Sequence, residues 1–92
     1  MMSVVVEIPE ELARYTAGQS KVEVEGVTVE AAFAALFDRF PSLQSRVVGS
    51  QGEFHAWTPV FLNGAKLAAR GAGSTVVRDG DRIEIVVLAS GG

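Results

Sequence analysis

Histidine is the side chain best suited to moving protons near neutral pH, and this sequence has one, His55. No second histidine and no cysteine could share a metal with it, and no Ser-His-Asp spacing accompanies it. It stands at a loop–strand junction beside Phe54 and Trp57, which points to a structural or surface role. The carboxylate pairs are equally bland. Glu10-Glu11 is an isolated doublet, Glu23 and Glu25 share the polar side of an alternating segment, and Asp79 and Asp81 frame a glycine turn. Gly71-Ala72-Gly73 has neither the spacing nor the preceding strand of a phosphate-binding loop. With cysteine absent, thiol nucleophiles and disulfides are excluded together. What remains is the end of the chain, Leu88-Ala89-Ser90-Gly91-Gly92. At this glycine content a terminal pair arises by chance about once in a hundred sequences. A frayed, meaningless end is the plain alternative.

Composition sets the frame for that residue set. The chain has 92 residues, room for one core and no second domain. Its net charge of −3 leaves no basic surplus for phosphates, so nucleic acid and anionic membrane are poor partners. Hydrophobic residues make up 48% and charged residues 21%, a globular balance. The first residues, MMSVVVEI, carry no positive segment before the apolar run, and the longest apolar run, Ala31–Phe37, is far too short to span a membrane. A cytoplasmic location is expected.

The elements that must position the tail follow from pattern. Ser3–Ile8, rich in β-branched residues, reads as a first strand ended by Pro9. Thr16-Ala17-Gly18-Gln19 is a turn, and Lys21–Glu25 alternates Val22 and Val24 against charged neighbours, the return strand of a hairpin. Thr28 is placed to cap a helix in which Val29, Ala32, Phe33, Leu36, Phe37 and Phe40 form one apolar face, with Pro41 as its stop. Ser42–Val48 could add a short helical turn. Trp57–Leu62 reads as a strand starting near Pro59, followed by Asn63-Gly64, a dipeptide that tolerates positive φ, and a short return through Ala65–Leu67. Asp79-Gly80-Asp81 launches the last strand, Arg82–Leu88, with Ile83, Ile85 and Val87 on one side. The order is β-β-α-β-(β)-β: an α+β chain with one main helix on a mixed four- to five-stranded sheet, the last strand parallel to the first. That is a β-grasp, ubiquitin-like arrangement of residues 1–88, followed by a flexible tail, residues 89–92.

Taken together, these features resemble the ubiquitin-like sulfur carriers of the MoaD/ThiS type. The resemblance rests on the hairpin, the helix after Gly26-Val27-Thr28, Val60-Phe61-Leu62-Asn63-Gly64, the run Arg78-Asp79-Gly80-Asp81-Arg82-Ile83-Glu84-Ile85, and Gly91-Gly92. Within the family, Ile8-Pro9, Leu12, Thr16-Ala17-Gly18-Gln19 and Phe54-His55 look most like the CysO-type carriers of cysteine biosynthesis. The resemblance implies a protein co-substrate rather than an enzyme. The Gly92 carboxylate, ionised at neutral pH, would attack the α-phosphate of ATP. An E1-like adenylating enzyme would hold the ATP and Mg²⁺, so this chain itself needs no bound cofactor or metal. A sulfur donor would then displace AMP to leave a thiocarboxylate, for use by a sulfur-accepting synthase of cysteine-synthase type, with a metalloprotease as a possible later partner. Gly91, Ser90 and Ala89 are small enough to follow Gly92 into a narrow channel.

Partners must also rest on the globular part. If Ile83, Ile85 and Val87 face the helix, then Val86 and Leu88 face the uncovered side of the sheet, with Val5 and Phe61 expected beside them as an apolar patch. Three other readings stand: the small subunit of molybdopterin synthase, a ubiquitin-like protein modifier, and a plain interaction module with an incidental diglycine.

Overall fold

The computed structural model describes residues 2–88. Strand β1, Ser3–Glu7, leads through a 3₁₀ helix, Glu10–Tyr15, into β2, Lys21–Glu25. Helix α1 is Val29–Arg39 and α2 is Pro41–Val47; β3, Val60–Leu62, and β4, Ala65–Lys66, form a short hairpin. A second 3₁₀ turn, Ala72–Ser74, precedes β5, Arg82–Ile85. The sheet order is β2-β1-β5-β3-β4. β1 lies antiparallel to β2 and parallel to β5, while β3 runs antiparallel to both β5 and β4. The expected β-grasp topology is present, with five strands and with β1 and β5 in the centre.

The centre is where the β-branched residues belong. Val4, Val6, Ile83 and Ile85 point to the helical side and are almost completely buried. Against them packs the apolar face of α1: Val29, Ala32, Phe33, Leu36 and Phe37. Burying each large side chain contributes about 1.5–3 kcal/mol, which outweighs the modest helical propensity of an eleven-residue segment. Thr28 caps α1 as expected, its Oγ1 accepting the Ala31 N–H at 3.1 Å. Phe33 bridges Phe37 and Phe54, at ring separations of 5.5 and 5.4 Å.

Two local features go beyond the pattern reading, the first by turning the short helical turn expected at Ser42–Val48 into a full helix. Pro41 ends α1 but also opens α2, where its missing N–H costs nothing at the first helical position. Leu43 and Val47 on α2 are fully buried, so a second short helix completes the covering layer. The segment between Pro9 and the turn at Thr16 forms the first 3₁₀ helix and inserts Leu12 into the core. Thr16 closes it; its buried hydroxyl lies 3.2 Å from the Ala13 carbonyl and 2.8 Å from that of Gln19. Asn63 and Gly64 both take positive φ, 51° and 88°, as their turn demands.

Candidate functional site

The strand that carries the tail is hydrogen-bonded further than its regular part. Beyond Ile85, the Val86 N–H donates to the Pro59 carbonyl at 3.0 Å and the Leu88 N–H to the Trp57 carbonyl at 2.9 Å. The antiparallel register Leu62↔Ile83, Phe61↔Glu84, Val60↔Ile85 therefore continues to the rim of the sheet. Val87 packs against the core, whereas Val86 is half-buried outside it and Leu88 is 51% exposed. Ala89, Ser90, Gly91 and Gly92 lie outside the described residues.

Along β3 and the three residues before it the alternation is complementary. Thr58 and Val60 are buried, while Trp57, Pro59 and Phe61 fall on the opposite side. Trp57 is thus across from Leu88 and Pro59 across from Val86. An apolar strip surrounds the point from which the tail departs, and Trp57, 55% exposed, is its largest member. Sequence reasoning placed Val86, Leu88 and Phe61 here but missed Trp57 and Pro59. The signal existed: 57, 59 and 61 alternate as one face of a strand. What places that face beside Val86 and Leu88 is a register between segments some 25 residues apart, which no local pattern encodes.

Val5, the other expected member, shares the open side of the sheet but not this strip. It pairs with Arg82 on one flank and Glu23 on the other, and Phe61 pairs with Glu84 and Lys66. The charged side chains of β5 therefore stand between Val5 and Phe61. Arg82 Nε also reaches Glu7 Oε2 at 3.7 Å. On the β1 flank of the tail root, an open groove runs past Glu7, Ile8, Pro9, Glu11, Glu84 and Val86. The rim is aromatic on one flank and acidic on the other.

His55 takes a structural position, half-buried beneath Trp57 with the rings stacked at 4.4 Å and 9°. The loop before it is ordered by Glu53. Its carboxylate is held below the ordinary carboxylate range by backbone N–H groups, its own and that of Gln51, with Arg70 adding a favourable charge. Among the described residues no group of three His, Asp or Glu side chains could hold a metal, and no helix is long and apolar enough to cross a membrane. A cleft of about 390 Å³ between α1, α2 and the loops around Phe54 and Gly71 shares no residue with the rim, and Glu30 is its one acidic or basic side chain.

Comparison with known proteins agrees with this geometry. The crystal structure of the Amycolatopsis orientalis BexX/CysO complex contains a chain that superposes with a TM-score of 0.86 at 29% identity, covering 97% of this chain and 99% of that one. Mycobacterium tuberculosis CysO gives 0.84 at 27% identity, over 94% and 99%. Haloferax volcanii SAMP1 gives 0.80 at 31% identity, over 98% and 99%. No curated protein sequence matches the chain. The ThiS family model matches residues 6–92, the Gly91-Gly92 pair included. With that match added to a β-grasp sheet whose central strand leads into the diglycine, the chain belongs to the ThiS family, as a small ubiquitin-fold sulfur carrier of the ThiS/MoaD type.

Proposed function

We propose that this protein carries sulfur as a thiocarboxylate on Gly92. A carboxylate oxygen of Gly92 attacks the α-phosphorus of ATP on an E1-like activating enzyme, and pyrophosphate leaves. A sulfur donor then attacks the acyl carbon and displaces AMP, and the thiocarboxylate passes its sulfur to an acceptor on a synthase. ATP and Mg²⁺ belong to the activating enzyme, and the product of the CysO-like branch is cysteine or a related metabolite. The observation that carries this reading is the family match running through the terminal diglycine. The similarity to CysO, one example of which is seen in complex with BexX, favours a synthase as recipient.

Reach supports a docking role for the rim. Four extended residues span at most about 14 Å, so an active centre working on Gly92 lies within that distance of Leu88. Its protein must then cover Leu88, Val86, Trp57 and Pro59, with Phe61 at the margin. Central aromatic anchors of this kind dominate interface energetics. A complementary partner is apolar opposite Trp57 and basic opposite the Glu7, Glu11 and Glu84 flank.

Intact-mass measurement of the protein from its native source tests the reading: an oxygen-to-sulfur increase at the C-terminus is expected. A second reading, a protein modifier joined to lysine through Gly92, is favoured by the 31% identity to SAMP1, a small archaeal modifier protein. Lysine conjugates without any thiocarboxylate would establish it instead.

A further inference from the structure

The tail root is tied to α2 by a short, continuous strap. The last carbonyls of a helix have no partner within it. Here the Val47 carbonyl accepts the His55 N–H at 3.0 Å and the Thr58 hydroxyl at 3.0 Å. The Ser45 carbonyl lies 2.9 Å from His55 Nε2, and since a carbonyl only accepts, that nitrogen carries the proton. The Thr58 N–H donates back to the His55 carbonyl at 3.0 Å, closing a turn around Trp57. The imidazole lies flat on the indole. The Trp57 carbonyl then receives the Leu88 N–H, the last main-chain hydrogen bond among the described residues.

His55 therefore touches both ends of the strap, the helix terminus through Nε2 and the tail anchor through Trp57. Among the described residues His55 is the one aromatic ring stacked on the indole. A half-exposed tryptophan without that partner would sample several rotamers, and the turn that carries its carbonyl would lose the packing that steadies it. The tethered ring beneath it removes that freedom at one face, and a parallel aromatic contact is favoured beyond the area it buries.

We propose that His55 is a positioning residue of the carrier: by holding Trp57 flat at the rim, it fixes the carbonyl that receives the Leu88 N–H, where the described part of the chain ends. Its purpose rests on the carrier reading, but the geometric claim concerns the isolated chain.

Amide hydrogen exchange on the full-length protein tests it, with Trp57, the sole tryptophan, as a fluorescent reporter. In His55→Ala the Leu88 amide exchanges about tenfold faster, the worth of one net hydrogen bond, while Val6 and Ile83 exchange as in the wild type. The Trp57 emission shifts in the same variant. His55→Phe keeps a ring under the indole and returns Leu88 most of the way to wild-type protection. An unchanged Leu88 rate in His55→Ala overturns the proposal. So does a uniform acceleration of Leu88, Val6 and Ile83, which would mean only a weaker fold. If His55→Ala does not fold, Trp57→Ala carries the comparison, since it removes the same stack; wild-type protection of Leu88 there overturns the proposal too. None of these readings involves Gly92, so the thiocarboxylate assay can fail or succeed independently.

Discussion

The Asn63 side-chain amide donates to Asp81 Oδ1 at 3.1 Å, joining two turns that lie 18 residues apart. Asn63 Oδ1 accepts the Arg82 N–H at 2.9 Å, and Asp81 Oδ2 accepts the Arg78 N–H at 2.8 Å. Asp79 Oδ1 takes the Ser3 N–H at 3.0 Å, and the Gly80 N–H donates to the Ser3 carbonyl at 2.8 Å. The starts of β1 and β5 and the end of β3 are thus locked together, at the opposite end of β5 from Leu88. One end of the sheet is a latch and the other presents the tail.

The latch makes stability depend on acid. The Arg78 N–H and then the Asn63 amide hold the Asp81 carboxyl below the ordinary carboxylate range. A depressed folded value means the charged form is favoured by folding, so the stabilisation is complete above the ordinary range and is lost as pH falls through the folded value. Glu53 acts in the same direction. The wild-type melting temperature is expected to fall below about pH 4. Asp81→Asn should melt lower at pH 7 and show a shallower acid slope, by circular dichroism across pH 2–7.

Gly26 tests the join between hairpin and helix. A Cβ there would lie 2.7 Å from the Ala32 backbone nitrogen and 3.0 Å from the Ala31 carbonyl carbon. Backbone cannot step aside as a flexible side chain can. Gly26→Ala is expected to lose about 1–3 kcal/mol in urea unfolding, the range for overpacking.

Leu36 tests the core itself, since it is completely buried on the inward face of α1. Leu36→Ala should cost about 2–5 kcal/mol through lost transfer energy and a residual cavity. The denaturant midpoint would report it with little change in slope.

The rim predicts a graded series in binding to an activating enzyme. Leu88→Arg, at the centre of the strip, should weaken the complex at least about tenfold. Phe61→Arg should have a smaller effect, and Val5→Arg, set apart by Arg82 and Glu84, one below about threefold. Titration calorimetry would rank them, with circular dichroism confirming that each folds. Equal losses at Leu88 and Val5 would mean that the whole sheet face docks.

Gly92→Ala should leave the melting curve unchanged, because the buried core is built from residues between Val4 and Ile85. Formation of the acyl-adenylate, followed by pyrophosphate release in the presence of ATP and the activating enzyme, should fall by at least about tenfold.

Much of this was settled by residues acting on their near neighbours. The 3.6-residue spacing from Val29 to Phe40 marks α1 and the face it buries, and Thr28 marks its start. Alternation in Lys21–Glu25 and the turn chemistry of Asn63-Gly64 are equally local. The terminal glycines, in a chain without cysteine, moved the expected chemistry off the side chains and onto the backbone carboxylate. Tertiary structure decided what depended on distant pairing. Pro41 stops one helix by local chemistry, and the buried space that takes Leu43 and Val47 makes it the start of another as well. Val5 and Phe61 share a face by parity alone, but the strand inserted between them, β5, separates them by charge. Trp57 gains a place at the tail root because β3 and β5 meet in one register and α2 holds His55 beneath it. Periodicity tells which side of an element is buried; only the packed sheet decides which exposed side chains stand together.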